Sequence, residues 1–87
     1  MAYTVKLKPA ALRDLQALPP DVQHRIRPKI DALADNPRPR GCEKLEGEDD
    51  LYRIRAGEYR VLYQIQGRVL LVLVIRIGHR REVYRDR

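Results

Sequence analysis

Between Leu51 and Ile77 the chain carries three β-strand candidates with almost nothing between them. Leu51–Ala56, Tyr59–Gln66 and residues 69–77 are separated only by Gly57-Glu58 and by Gly67-Arg68. A parallel crossover needs a dozen or more residues, so connections this short demand antiparallel neighbours. The third strand is apolar at every position from Val69 to Ile75. That continuity predicts a central strand covered on both faces.

The first half reads as helical. Residues 3–7 alternate Tyr, Val and Leu with polar residues, the pattern of a half-buried strand. Pro9 suits the first turn of a helix, and Leu12, Leu15 and Leu18 give it one apolar stripe before Pro19-Pro20 ends it. A second helix starts near Pro20-Asp21. Its face is Val22, Ile26, Ile30 and Leu33, and Pro28 is expected to kink it or mark its weak point. Asn36-Pro37 is the stop, and residues 37–50 form a loop with a possible short strand near Glu43 to Leu45. The predicted order is β-α-α-β-β-β. This is an α+β fold, a small antiparallel sheet with a two-helix hairpin packed on it, in a single domain over residues 1–87.

An 87-residue chain has room for one thin core, and without Phe or Trp that core must be aliphatic, supplemented by five tyrosines. Cys42 is the only cysteine, so no internal disulfide forms, and no Cys/His spacing suits zinc. It reads as a small loop residue. No metal or cofactor is expected. Residues 1–10 lack an apolar segment of signal-peptide length. The longest apolar run has seven residues, against about 20 needed to span a bilayer. A soluble, cytoplasmic protein with no membrane partner is expected.

Charge is distributed unevenly. Residues 1–50 hold nine Lys/Arg and nine Asp/Glu, whereas residues 51–87 hold nine Arg and three acids, so the whole net charge of +6 lies in the second half. All of that excess is arginine, whose planar fork suits phosphate or carboxylate. A polyanion partner is expected, with nucleic acid ahead of an acidic protein.

Strand geometry groups these arginines. Arg53 and Arg55 share one face, opposite Tyr52 and Ile54. A two-residue turn at Gly57-Glu58 would set Arg55 directly across from Arg60. Like charges facing each other are destabilising, so such a surface is expected either to meet an anion or to be neutralised by Glu58 or the acidic loop 46–50. The stretch "RIGHRREVYR", residues 76–85, leaves the neighbouring strand and would complete a cationic bowl with Arg80 and Arg81. Tyr84 offers a stacking face. Arg76, Arg81 and Arg85 are further candidates for RNA contact. His24 faces away from the second helix's stripe and reads as solvated.

Such a bowl suits RNA cleavage by 2′-OH attack, which needs a base, cations at phosphorus and an acid, but no metal. Arginines supply the cations and are poor bases. His79 and Tyr84 remain as proton carriers, and Tyr84 would need its pKa lowered by the surrounding charge.

The strand opening "MAY", the hairpin "LRDLQALPPDVQ", "KLEG", "LYRIRAGEYRVLYQI" and the closing "IGHRREVYR" together resemble the RelE/ParE superfamily of bacterial toxins, RelE above all. The resemblance implies a ribosome-dependent endoribonuclease that cuts mRNA in the A site. It implies a cognate, RelB-like antitoxin, and contact with operator DNA only through the toxin–antitoxin complex. The family's basic residues map to Arg53, Arg55, Arg60 and Arg80, and its terminal tyrosine to Tyr84, as the catalytic set. Arg53 and Arg55 stand where RelE commonly has lysines, one a proposed general base, so that role passes to Tyr84 or His79. The stretch after Gly78 is shorter than in the family, which leaves Arg80 and Arg81 interchangeable by one position. The alternatives are a ParE-like toxin that inhibits DNA gyrase without cutting RNA, and a degenerate member kept only as a partner-binding or repressor subunit.

Overall fold

The computed structural model describes residues 2–45, 47 and 50–79. Strand β1 (Thr4–Leu7) leads into helices α1 (Pro9–Ala17) and α2 (Pro20–Ala32), and the chain returns through β2 (Glu43–Lys44), β3 (Leu51–Ala56), β4 (Tyr59–Gln66) and β5 (Leu71–His79). Each helix has proline in its first turn, where no backbone N–H is missed. The Gln23 side chain donates to the Leu18 carbonyl at 2.9 Å, which fastens the bend between the helices. Helix α2 runs through Pro28 to Ala32. The carbonyl four residues back, on exposed His24, lacks the helical donor that Pro28 cannot provide.

The sheet order is β1-β5-β4-β3-β2. The three strands of the second half pair antiparallel as expected, and Ala56 lies across from Tyr59 around a two-residue turn. Gly57 takes φ 63° there, a conformation tight hairpin turns favour and glycine adopts at no steric cost. β1 departs from the all-antiparallel expectation. It runs parallel to β5, Thr4 beside Leu71 through Leu7 beside Val74, and makes the sheet mixed. No short turn ties β1 to a partner, so only packing of the helical hairpin decides where it joins.

Both helices pack on one face of the sheet. Leu15, Val22, Ile26, Ile30 and Leu33 meet Tyr52, Ile54, Val61, Tyr63, Ile65, Val72, Val74 and Ile77 in a single core. The stripe of α1 differs from the expected one. Ala11 and Leu15 are buried and Leu18 partly so, while Leu12 is 44% exposed. Residues 11, 15 and 18 fall on one side at 3.6 residues per turn, with Leu12 about 100° away. β5 is central, but its coverage is one-sided: Val72 and Val74 are fully buried, and Leu71, Leu73 and Ile75 are intermediate. Among the described residues both helices lie on one face, so no described helix meets the other face of the strand.

A β-bulge sits in β5. Leu62 pairs with Arg76 and the next residue, Tyr63, pairs with Val74, leaving Ile75 extra. Without it, period-two alternation after Val72 and Val74 would turn Arg76 into the core. The bulge shifts the phase by one, so buried Ile77 takes that place.

Candidate functional site

The arginine face lies on the side of the sheet away from the helices. Arg53 and Arg55 alternate with buried Tyr52, Ile54 and Ala56, so the core side of β3 directs them outward. Arg55 pairs with Arg60 across the β3–β4 hairpin, as the turn length implied. Arg53 is opposite Leu62, which is completely buried and gives the face an apolar floor. Three guanidiniums therefore rest on rigid, paired strands.

These cations are not without counter-charge, and among the described residues Glu43 supplies it to Arg53 and Arg55. Glu43 is opposite Arg53 in the β2–β3 register. Its carboxylate lies 2.8 Å from Arg53 Nη2 and 3.5 Å from Arg55 Nη2. The hydrogen bond and charge of Arg53, then the charge of Arg55, hold the Glu43 carboxyl below the usual carboxylate range. Sequence reading missed this role, although it offered a possible short strand near Glu43 to Leu45, which forms as Glu43–Lys44. Its register against Arg53 was the signal, and that is set by the fold. Beside Glu43 a cavity of about 560 Å³ opens toward α2, lined by Lys29, Arg40, Cys42, Glu43, Ile54 and Arg55 among others. Glu43 and Arg55 border both features, so positive charge continues over the sheet edge.

Arg76, a candidate for RNA contact, is tied to α1. Its Nε and Nη2 donate to the two carboxylate oxygens of Asp14 at 2.8 and 3.3 Å. The same Asp14 accepts the Ile77 backbone N–H at 3.0 Å. β1 pairs with β5 only as far as Val74, so beyond that point Asp14 on α1 takes the place of a strand partner. No local pattern signals a contact between residues 62 and 63 positions apart.

At the end of β5, Gly78 is opposite Arg60 and His79 is opposite Tyr59. The exit of the last strand thus runs beside the arginine face, as expected. His79 meets Tyr59 edge-on with ring centres 5.9 Å apart, and its Nε2 is 3.8 Å from a Glu58 carboxylate oxygen. Arg80, Arg81, Tyr84 and Arg85 lie outside the described residues. Among the described residues, no three His, Cys, Asp or Glu side chains converge as a metal site, and no helix is long and apolar enough to cross a membrane.

A second cluster braces the loop before β2. Tyr52 and Tyr63 face each other across β3 and β4 with stacked rings 5.9 Å apart. The buried Tyr63 hydroxyl donates to the Pro37 carbonyl at 2.7 Å. Arg38 lies over the Tyr52 ring, 5.3 Å from its centre, and its Nε donates to the Tyr52 hydroxyl at 3.2 Å. This fixes the loop that delivers Glu43.

The family model for the ParE toxin of the type II toxin–antitoxin system parDE matches residues 5–84, nearly the whole chain. The chain belongs to the RelE/ParE superfamily of type II toxins. The chain is 29% identical to the putative toxin RelE1 of Methanocaldococcus jannaschii over 89 residues, covering 99% of each. It is 32% identical to the mRNA interferase toxin RelE of Escherichia coli over 90 residues, covering 99% of this chain and 94% of the relative. The archaeal RelE–RelB complex from Pyrococcus horikoshii contains a chain that superposes with a TM-score of 0.82 at 33% identity, covering 95% of this chain and 100% of that one. The family model carries the ParE name, yet these relatives are RelE toxins, and the ParE-like alternative is not favoured.

Proposed function

We propose that this RelE-like toxin is an endoribonuclease that cuts mRNA on the ribosome and so stops translation. The observation that carries the reading is the arginine face, with Arg53, Arg55 and Arg60 on two paired strands. Similarity over nearly the full length to a toxin named as an mRNA interferase supports it. The reaction is attack of a 2′-hydroxyl on the adjacent phosphorus. The 2′-O–P bond forms, the P–O5′ bond breaks, the 2′ proton passes to a base and the 5′-oxygen gains a proton. Arg53, Arg55 and Arg60, joined by Arg80, bind the phosphate and stabilise the charge that develops on it. Tyr84 is the leading proton carrier and His79 its competitor. Arg81 and Arg85 hold flanking RNA; Arg76, bound to Asp14, is left out of the phosphate contacts.

Guanidinium is a poor base, so the site depends on positioning, which can supply several kcal/mol. That is the reason to expect the ribosome as a required partner and free RNA as a poor substrate. A RelB-type antitoxin is the partner in the P. horikoshii complex. For this chain we propose a cognate antitoxin of that kind, a cytoplasmic setting, and contact with operator DNA only through the pair.

The test is translation in vitro with purified protein and mapping of mRNA 5′ ends. New ends within translated codons, absent when ribosomes are omitted, are expected. Arrested translation without new ends, together with blocked gyrase supercoiling, would establish the ParE-like activity instead.

A further inference from the structure

Glu43 occupies the position a phosphate should take. Two carboxylate oxygens shared between two guanidiniums reproduce the acceptor pattern of a phosphodiester. The strand register holds the acid on the arginine face opposite Arg53. We propose that Glu43 is a built-in competitor for RNA phosphate, seated on Arg53 and Arg55 in the free toxin and displaced when RNA binds. This rests on the arginine face being the RNA site.

Exposure on the two sides of the ion pair is unequal. The Arg53 side chain is only 17% exposed, whereas those of Glu43 and Arg55 are 48% and 60% exposed. A largely covered cation needs a counter-charge at all times, and Glu43 supplies one while no RNA is present. A half-exposed carboxylate returns to water at little cost, because exposed ion pairs are weak. Displacement is therefore cheap once a phosphate replaces the acid. A tethered acid also acts at high effective concentration, so a loosely held RNA competes badly with it. RNA already oriented by a larger assembly competes better. Glu43 is thus a specificity-determining residue that raises the threshold for free RNA.

The experiment compares the full-length protein with Glu43→Gln and Glu43→Ala. Binding of a fluorescent single-stranded oligoribonucleotide, 2′-O-methylated to prevent cleavage, is followed by anisotropy at several salt concentrations. Both variants should bind about two- to fivefold more tightly at low salt, with the gain shrinking as salt screens the site. Unchanged or weaker binding by both variants overturns the proposal. So does loss of ribosome-dependent cleavage at unchanged RNA affinity, which would put Glu43 among the proton carriers. If the wild type cuts mRNA on ribosomes and the variants gain no affinity, only the competitor role fails. If the wild type neither binds the oligonucleotide nor cuts mRNA, the RNA site itself fails, and the competitor with it.

Discussion

At the residue scale, one alternation separates chemistry from packing. Along β3, Arg53 and Arg55 point to the open face while Tyr52 and Ile54 enter the core. Replacing Arg55 or Arg60 with Ala should cost about 2–4 kcal/mol of transition-state stabilisation in single-turnover cleavage on ribosomes, as for loss of one preorganised donor. Lys should rescue part of it, because charge survives while the fork is lost. Tyr84→Phe should be nearly as damaged as Tyr84→Ala if the hydroxyl moves the proton. An active Tyr84→Phe beside a dead His79→Gln would transfer that role to His79. Tyr63 belongs to the packing side. Burial, the largest cause, raises its phenol pKa well above the ordinary value of about 10. The unfolded chain therefore ionises this group first, so its contribution to stability is full below pH 10 and is lost as pH rises beyond it. Chemical denaturation between pH 8 and pH 11 should show a steeper alkaline fall for the wild type than for Tyr63→Phe. At pH 7 that variant should be about 1–2 kcal/mol less stable, since the buried Pro37 carbonyl loses its donor.

At the element scale, β5 depends on two devices that adjoin each other. The bulge at Ile75 resets which residues face the core, and Asp14 on α1 holds the edge of the strand just beyond β1. Asp14→Ala should destabilise the fold by about 1.5–3 kcal/mol, the range for hydrogen bonds to charged groups. It should also speed amide exchange at Ile77, measured by NMR, ahead of exchange in β3. Asp14→Asn, which keeps an acceptor for Ile77, should lose less. Wild-type exchange at Ile77 in the Ala variant would show that Asp14 does not hold the edge. Deleting Ile75 should keep Arg76 outward and Ile77 inward, because the pairs Tyr63–Val74, Leu62–Arg76 and Val61–Ile77 then follow one another as a regular ladder.

At the scale of the whole molecule, an even first half and a second half of +6 are folded into one small body. The fold exposes Arg55 and borders it with the cavity that also holds Lys29 and Arg40. Antitoxin binding should therefore weaken as salt rises, with a segment of acidic or amphipathic character folding on the toxin. Titration calorimetry from low to high salt is the check. A Kd flat across that range would mean that apolar contacts carry the complex.

The sequence by itself determined everything set by local spacing. Proline positions placed the helix starts, the i, i+4 pattern placed the face of α2, and a two-residue turn placed Arg55 opposite Arg60. Each depends on a few bonded neighbours, whose geometry has fixed periods of 3.6 and 2. What the tertiary structure decided were pairings between distant parts of the chain. β1 joins β5 in parallel, Asp14 seizes Arg76 and Ile77, the bulge turns Arg76 out of the core, and Glu43 lands on Arg53. None of these follows from a local period. Each satisfies a charge, a backbone N–H or an apolar face that only the assembled layers bring within reach.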